Sequence, residues 1–467
     1  MASRRPEAGQ EIDGFTLEER IHQGPMSTLW RATQAGKADP VILKIPALAD
    51  GDDVSSIVGF EVEQMILPRL AGPHVPRFIA AGDFSRTPYI AMERVEGDSL
   101  LVRTRAGRMA PAEAAEIGAR IARGLRDLHR QHVIHLDLKP ANVMLRPTGE
   151  AVFLDFGLSR HDELPDLLGE ESDVPMGTAP YIAPEQIFGD RSEPLSDIFA
   201  LGVMLYEFVT GEWPFGNPRH KAGMKRRLWR DPVPPRALNP ECPPWLQEVI
   251  LRCLEVDPAR RYGSASQVAF ALQNPDQVPL TERAQRMAQD GILTALRRRL
   301  RAGRPPRRPQ ERVAEKLAGA PIVMAAVDLT QGVTPLAEAQ RIHVKRALDA
   351  APGAKLACVT VLKTALLSLE GDSEGTDTYV QRLVELKDWA RPLAPEEGKV
   401  SFHVLEAVDP AAALIEYAQK NEVDEIVVGA RASSALRRYL GSVSAKVVAE
   451  AGCTVTVVRV PEAAEAG

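Results

Sequence analysis

The chain has 467 residues, of which 45% are hydrophobic and 26% charged, and its net charge is -6. These proportions are typical of globular proteins and predict about three domain-sized units. The charge balance indicates no nucleic-acid partner, and no apolar run reaches the roughly 18 residues that a transmembrane helix needs. The four scattered cysteines argue against a disulfide scaffold or a zinc site. Because the N-terminus also has no apolar core, we expect no signal peptide and a cytoplasmic location.

The first predicted elements are strands. We expect residues 1–13 to be disordered, and residues 15–22 and 28–33 to form a hairpin around Gly24. The β-branched run at residues 41–45 predicts a further strand.

One lysine, Lys44, lies inside this last strand. A buried ammonium needs a counter-charge, because an unpaired charge in a dry site is costly. The next predicted helix, at residues 56–70, offers Glu61 and Glu63. The alternative is that Lys44 points to solvent from an edge strand.

A concentration of polar side chains follows the long predicted helix at residues 111–129. The segment His-Leu-Asp-Leu-Lys-Pro-Ala-Asn carries Asp137, Lys139 and Asn142, and thirteen residues after Asn142 the sequence Asp-Phe-Gly begins at Asp155. A carboxylate and an amide on one loop, with a second carboxylate at the next strand end, are what holding Mg²⁺ against a triphosphate requires. Asp137 would accept the proton of an attacking hydroxyl.

The chain then becomes irregular before it returns to helices. Residues 158–177 are rich in acids, residues 178–185 form a proline-punctuated turn, and residues 196–210 predict a buried apolar helix. Helical patterns continue to about residue 272.

In order and spacing, these motifs resemble those of bacterial, eukaryotic-like serine/threonine protein kinases. The resemblance implies a bilobal α+β kinase fold at residues 14–275, with a small lobe at 14–95 and a large lobe at 96–275. It also implies ATP, Mg²⁺ (or Mn²⁺) and protein substrates. The implied catalytic residues are Asp137, Lys139, Asn142, Lys44 and Glu63. The implied ATP-binding residues are Gly24, Leu29, Lys44, Met92, Glu93, Val95 and Asp155, and the implied metal ligands are Asn142 and Asp155. Glu185 and Arg261 are expected to form a buried ion pair, and Asp197 to anchor the large lobe.

The sequence departs from the kinase pattern in its glycine-rich loop. Only Gly24 is kept, because His22 and Ser27 occupy the other two glycine positions. Glycines there let the backbone approach phosphates closely, so we expect weaker nucleotide capture.

A second departure is Leu136, which stands where the family usually has arginine before the catalytic aspartate. That arginine normally binds a phosphorylated residue of the activation segment. We therefore predict activity that does not depend on phosphorylation of Ser159, Ser172 or Thr178. The alternative is that Leu136 packs into the core without regulatory meaning.

Residues 276–320 are predicted to be a basic linker. Residues 280–320 hold eleven Lys/Arg and four Asp/Glu, a net of +7. Apolar residues at every fourth position predict an amphipathic helix at 281–301, followed by an Arg/Pro spacer. Docking on an acidic face of the kinase lobe is favoured, and contact of residues 297–312 with a membrane surface is the alternative.

After residue 320 short strands and helices alternate. Strands are predicted at residues 322–327, 355–361, 400–405, 425–428 and 453–460, which indicates a doubly wound, five-stranded parallel α/β sheet. Ligands of such sheets bind at the carboxyl ends of the strands where the strand order reverses. Asp328 and Gly429 occupy two of these ends.

Residues 321–461, before a short tail at 462–467, resemble a universal stress protein domain. The resemblance rests on PIVMAAVD near the start and on VVGARASSALRRYLGSVSAKVV near the end. It implies a candidate second nucleotide site at Asp328, Gly429, Gly441 and Ser442, although Ala432 replaces one glycine of the motif. The alternative is a dimerisation or docking module.

Taken together, these residues predict a serine/threonine kinase regulated by its C-terminal domain. The alternative is a catalytically weak or inactive nucleotide-binding sensor or scaffold, favoured by the eroded glycine loop and by Leu136.

Overall fold

The structure is a computed structural model. It describes residues 6–24, 27–36, 39–47, 54–171, 175–301, 321–330, 332–351, 353–363, 375–393, 399–430 and 442–460.

A six-stranded antiparallel sheet and one helix, α1, build the small lobe. The sheet order is β1-β2-β3-β4-β6-β5. The predicted hairpin is present as β2 and β3, whereas the predicted disorder is wrong at β1, where the side chain of Ile12 is buried. The elements are β1 (Glu11–Ile12), β2 (Phe15–Gln23), β3 (Ser27–Gln34), β4 (Val41–Pro46), α1 (Val54–Ile66), β5 (Phe78–Gly82) and β6 (Tyr89–Glu93), with a 3₁₀ turn at Leu67–Arg69.

The position of β4 decides the environment of Lys44. Strand β4 pairs with β3 on one side and with β6 on the other, so it is not an edge strand. The Lys44 side chain is only 13% exposed. The solvent-facing alternative for Lys44 is therefore wrong.

Helices dominate the large lobe. Helix α5 runs through its centre, and fourteen of its sixteen residues are buried. No helix in the described ranges is long and apolar enough to span a membrane. The helices are α2 (Leu100–Arg105), α3 (Pro111–Arg130), α4 (Leu167–Glu171), α5 (Leu195–Thr210), α6 (Lys221–Met224), α7 (Pro235–Leu238), α8 (Pro244–Cys253) and α9 (Ala265–Gln273). The strands are β7 (Val133–Ile134), β8 (Val143–Leu145), β9 (Ala151–Phe153) and β10 (Arg160–His161), and 3₁₀ turns lie at Pro140–Asn142, Gln186–Phe188, Lys225–Leu228, Pro258–Arg260 and Pro275–Gln277.

The linker forms two helices, not the single helix predicted at 281–301. They are α10 (Glu282–Gln285) and α11 (Ile292–Arg301), separated by an extended stretch that begins at Arg286. At the break Arg286 binds Asp231 of the large lobe at 2.7 Å, and Arg298 on α11 reaches the same carboxylate at 2.8 Å. These ion pairs favour docking on the kinase lobe; the spacer at 302–320 lies outside the described residues.

The C-terminal domain is a five-stranded, wholly parallel sheet in the order β13-β12-β11-β14-β15. Hydrophobic clusters cover both faces of the sheet, as expected for a doubly wound fold. All five predicted strands are confirmed. The elements are β11 (Ile322–Ala326), α12 (Pro335–Ala350), β12 (Lys355–Lys363), α13 (Gly375–Ala390), β13 (Val400–Ala407), α14 (Pro410–Lys420), β14 (Glu425–Gly429), α15 (Ser442–Glu450) and β15 (Thr454–Val458), with a 3₁₀ turn at Arg391–Leu393.

Candidate active site

The backbone of the loop that carries Asp137 is held by the side chain of Asp197, near the start of α5. The two carboxylate oxygens of Asp197 accept the backbone N–H groups of His135 and Leu136, each at 2.9 Å. Leu136 has a φ of +63°, a conformation that costs a residue with a side chain about 1–2 kcal/mol. The Gln186 side-chain amide donates to the Leu136 carbonyl at 2.9 Å. The fold therefore holds a strained backbone at this point, and the Leu136 side chain is buried.

Asp137 lies at the centre of a small polar network. Its Oδ1 accepts the Thr178 N–H at 2.8 Å and the Thr178 hydroxyl at 2.7 Å. Its Oδ2 accepts from Lys139 Nζ at 2.6 Å, and the same ammonium donates to Thr178 Oγ1 at 2.9 Å. The Asn142 amide donates to both the carbonyl and Oδ2 of Asp137, at 3.0 and 3.2 Å. The structure therefore brings the predicted residues of this loop together.

A second charged group lies where β4, α1 and the Asp-Phe-Gly segment meet. Lys44 Nζ lies 2.5 Å from Glu63 Oε2 and 2.8 Å from Asp155 Oδ1. Of the two acids offered by α1, Glu63 is the partner of Lys44, and Glu61 is not. The Asp155 side chain is 47% exposed, so a ligand between the small and large lobes can also reach this carboxylate.

Burial and charge compete at these three groups. Burial alone would lower the pKa of Lys44, but the carboxylates of Asp155 and Glu63 outweigh it and raise that pKa above its ordinary value. The Lys44 ammonium lowers the pKa of Asp155 to about 2. Burial raises the pKa of Glu63 although Lys44 opposes it, so Asp155 is the more firmly ionised carboxylate.

Apolar and backbone contacts fix the Asp-Phe-Gly segment. Asp155 has a φ of +65°, and the buried Phe156 ring lies 5.4 Å from the His135 ring. Gly59 on α1 approaches Gly157 so closely that a Cβ at Gly59 would lie 3.1 Å from the Gly157 carbonyl oxygen. The position of α1 therefore depends on a glycine-to-glycine contact, and a side chain at either position would push the helix away.

The predicted adenine-binding segment lies at the end of β6 and directly after it. Met92 and Val95 are buried, and the Glu93 carboxylate is held by Arg146 at 2.6 Å. Leu29 on β3 is paired in register with Lys44. Gly24 directly follows β2 and donates its N–H to the Ser27 carbonyl at 2.9 Å, while the loop tip at 25–26 lies outside the described residues.

The large-lobe anchor has the expected form. Arg261 and Glu185 form a two-pronged ion pair at 2.7 and 2.8 Å, and their side chains are 0% and 5% exposed. Such a pair is costly to break, because removing one partner leaves a buried charge.

A separate cleft of about 220 Å³ opens at the carboxyl ends of the parallel strands in the C-terminal domain. Asp328, after β11, and Gly429, at the end of β14, both line it. This is where the strand order reverses, since β12 and β13 lie on one side of β11 and β14 lies on the other. Lys363, which was not among the residues predicted from the sequence, also lines the cleft. Ser442 begins α15 next to the cleft residue Val443, and Gly441 lies outside the described residues.

Comparisons with known proteins place both parts of the chain. The protein kinase domain model matches residues 15–272, more than half of the chain. The chain belongs to the protein kinase family. The universal stress protein family model matches residues 322–459, so the kinase domain is followed by a universal stress protein domain.

Several bacterial kinases are similar to this protein kinase. Serine/threonine-protein kinase PknA of Mycobacterium tuberculosis is 32% identical over 275 residues, which cover 57% of this chain and 62% of PknA. Probable serine/threonine-protein kinase PknB of Corynebacterium glutamicum is 32% identical over 269 residues, covering 56% of this chain and 42% of that protein. The chain thus spans less than two thirds of the length of these curated relatives. The crystal structure of the Mycobacterium tuberculosis PknI kinase domain covers 58% of this chain and 99% of its own, with 22% identity and a TM-score of 0.46.

Some residues that shape the kinase site were not found from the sequence. Gln186 holds the Leu136 carbonyl and Arg146 holds Glu93. Arg191 binds the Asp166 carboxylate at 2.9 Å and donates to the Leu158 carbonyl at 3.1 Å. In the sequence each of these residues is only a polar side chain close to a recognised motif, and this does not indicate which group it binds.

Proposed function

We propose that this chain is a serine/threonine protein kinase that transfers the γ-phosphoryl group of ATP to a protein hydroxyl. The single observation that carries the proposal is the network of Asp137 with Lys139, Thr178 and Asn142, set beside the Lys44–Asp155 pair. Folding alone does not require two carboxylates, two ammonium groups and an amide in one cleft. Burying charged groups costs free energy, and such clusters are concentrated at functional sites.

Each side chain has a role that its contacts support. Asp137 accepts the proton of the attacking hydroxyl, and Lys139 next to it stabilises negative charge during transfer. Lys44 holds phosphate oxygens while Glu63 fixes the direction of its ammonium. Positioning and electrostatics are the main contributions a protein makes to phosphoryl transfer.

The donor set near Asp155 fits Mg²⁺ (or Mn²⁺). Asp155 is ionised, and its carboxylate can be reached from the space between the lobes. Asn142 lies on the neighbouring loop, and its backbone carbonyl accepts the Leu154 N–H at 2.9 Å, which ties the two segments together. A carboxylate and an amide oxygen are ligands that Mg²⁺ prefers, together with phosphate oxygens and water. When bound with ATP, the metal neutralises phosphate charge. Met92, Glu93 and Val95 would border the adenine ring.

The hydroxyl class follows from Thr178. Lys139 and Thr178 are joined by a hydrogen bond and both touch Asp137, so the space beside this carboxylate is narrow. A short aliphatic hydroxyl of serine or threonine would fit beside it.

The four free cysteines of the chain fit a reducing, cytoplasmic setting.

The second candidate is a catalytically weak or inactive nucleotide-binding scaffold. The observation in its favour is the loop at Gly24, where His22 and Ser27 replace two glycines. Against it stands the complete set of contacts at Asp137 and Asp155.

A phosphorylation assay separates the two candidates. The full-length protein is incubated with γ-labelled ATP, Mg²⁺ and a generic basic protein, in parallel with Asp137→Asn and Asp155→Ala. We expect label transfer by the wild type and a loss of about 10²–10⁴-fold in Asp137→Asn, as for removal of a general base. If the wild type transfers no more label than both variants while it still binds ATP, the scaffold is the correct function.

We further infer that activity does not depend on phosphorylation of the activation segment. Leu136 has no charge to bind a phosphate, and Ser159 is buried with its hydroxyl donating to the His135 carbonyl at 3.1 Å. Arg191 already ties the segment down through Asp166 and the Leu158 carbonyl. Ser172 lies outside the described residues.

For the C-terminal domain we propose a second nucleotide site at Asp328, Gly429, Gly441 and Ser442. The cleft at the reversal of strand order supports it, since Asp328 and Gly429 line the same space. Lys363 adds a cation for phosphate. Dimerisation through this domain is the alternative.

A further inference from the structure

The middle of helix α1 is buried on every side. All residues from Ile57 to Glu63 are buried, which is nearly two full turns. A helix that packs on one sheet normally leaves its outer face in water. Here α4 and β10 of the large lobe contact α1, and the C-terminal domain covers the part of that outer face around Glu61.

The covering contact is largely apolar. Tyr379 and Leu383 on α13 are 1% and 0% exposed, and Val404 on β13 is 4% exposed. They belong to the same continuous hydrophobic cluster as Phe60 of α1 and Phe84 of the small lobe. At this place the two domains therefore share one core.

One ion pair crosses the contact at the middle of α1. Lys387 on α13 binds the Glu61 carboxylate, whose side chain is only 6% exposed. The Lys387 ammonium also lies 5.6 Å from the Phe84 ring centroid and 5.7 Å from that of Phe402. A buried carboxylate without this partner would be costly, so the contact constrains where α1 can lie.

A second polar contact holds α4, which belongs to the activation segment. The Glu170 carboxylate on α4 lies 2.6 Å from His403 Nε2 and accepts a hydrogen bond from the Tyr417 hydroxyl at 2.9 Å. The His403 side chain is completely buried on β13. Burial would raise the pKa of Glu170, but the contacts with His403, Tyr417 and Ser401 outweigh it and lower that pKa.

The Lys387 contact reaches the kinase site directly through α1, and the contact at Glu170 acts on α4, which packs against α1. Glu61 and Glu63 are separated by about 200° around the helix, because each residue advances by about 100°. Glu63 therefore faces Lys44 on one side, while Glu61 faces Lys387 on the other. A rotation of α1 about its axis therefore moves both carboxylates away from their lysines.

We propose that the C-terminal domain positions the kinase site: Lys387 on Glu61, with His403 and Tyr417 on Glu170, holds α1 and the activation segment in the arrangement in which Glu63 binds Lys44. This inference rests on the proposed kinase function. Lys387 is a positioning residue, since it acts on the phosphate-binding lysine only through α1. The contact takes the place of the phosphate that Leu136 cannot bind.

The test uses the full-length chain and exchanges the charges of the pair. The variants are Lys387→Glu, Glu61→Lys and the double exchange Lys387→Glu with Glu61→Lys. The matched control is Lys345→Glu, an exposed lysine on α12 of the same domain. Two quantities are measured: kcat with a generic substrate, and amide hydrogen exchange of residues 54–66, which reports on α1 whether or not the protein is an enzyme.

We expect each single variant to lower kcat about tenfold and to speed exchange in α1, because a lost contact shifts the population of the competent state by such factors. The double exchange restores both quantities to within about threefold of wild type, and Lys345→Glu changes neither. Restoration by the double exchange also excludes a folding defect as the cause of the single-variant losses.

Unchanged α1 exchange in Lys387→Glu overturns the proposal, and so does a double exchange no better than either single variant. If the wild type transfers no phosphate but α1 exchange follows the expected pattern, the kinase function fails while the positioning contact stands.

Discussion

The catalytic loop and helix α1 differ in how the chain holds them in place. The loop residues Asp137, Lys139 and Asn142 lie within six positions of one another and bind each other directly. Helix α1 is held by Lys44 on one side and by Lys387, 326 positions away from Glu61, on the other. The groups that perform the chemistry are thus specified locally, whereas the arrangement that makes them competent depends on a distant domain.

Among the variants that test this comparison, the largest effect is expected at Lys44, which binds Glu63 of α1 and Asp155. In Lys44→Met the phosphate-binding ammonium is lost and Asp155 loses its cation, so we expect kcat to fall about 10²–10³-fold. The pKa of Asp155, now about 2, should rise towards its ordinary value. Phosphotransfer assays measure the first effect, and carboxyl NMR shifts against pH measure the second. Lys221→Met, an exposed lysine of the large lobe, is the control, and equal losses in both variants would contradict the role of Lys44.

The secondary structure and the polar residues of the catalytic loop were largely predictable from the sequence, because both depend on residues close together in the chain. The hairpin of β2 and β3, the long helix α3, the central helix α5 and all five strands of the C-terminal sheet follow from periodicity and turn residues. The polar set from Asp137 to Asp155 was found because its members are close in sequence and of the types that hold a metal and a phosphate. Glu63 required the resemblance to kinases, since Glu61 was an equally good partner for Lys44 by charge alone.

The contact of the C-terminal domain with α1 and α4 could not be predicted from the sequence, for a physical reason. Glu61, Glu170 and Lys387 each look like ordinary surface charges, and nothing in the sequence indicates that they are buried by another domain. One signal was present: α1 is apolar nearly all round, in the sequence SIVGFEVEQMI, and a helix of that kind needs cover on its outer face. The cover itself is a tertiary contact between sequence-distant segments, which no local pattern encodes.

A smaller effect is expected in the activation segment, at Arg191. Arg191→Met removes the bifurcated hydrogen bond from the Arg191 Nε–H to both Asp166 carboxylate oxygens, and the hydrogen bond to the Leu158 carbonyl. Loss of this charge-assisted contact should lower kcat about five- to tenfold by loosening the segment. The control is Arg160→Met, since Arg160 lies 3.9 Å from the same Asp166 carboxylate.

The companion variants Ser159→Ala and Ser172→Ala should retain activity within about threefold, because neither serine needs to carry a phosphate. Activity is measured on protein treated with phosphatase and on untreated protein. A large loss in either serine variant, or activity that disappears after phosphatase treatment, would show that the segment depends on phosphorylation after all.

The smallest effect on phosphotransfer is expected from the cleft of the C-terminal domain. A Cβ at Gly429 would lie 3.1 Å from the Leu336 side chain, at the rim where phosphate would approach, whereas a Cβ at Gly452 meets open space. Gly429→Ala should therefore weaken nucleotide binding at this cleft about tenfold, and the matched variant Gly452→Ala should not.

Calorimetric titration of the full chain with ATP and Mg²⁺ would show two sites in wild type and one strong site in Gly429→Ala. Because the interface with α1 is formed by α13 and β13, away from this rim, kcat measured at saturating ATP should stay within about twofold of wild type. A single site in the wild type would instead favour a dimerisation or docking role for the domain.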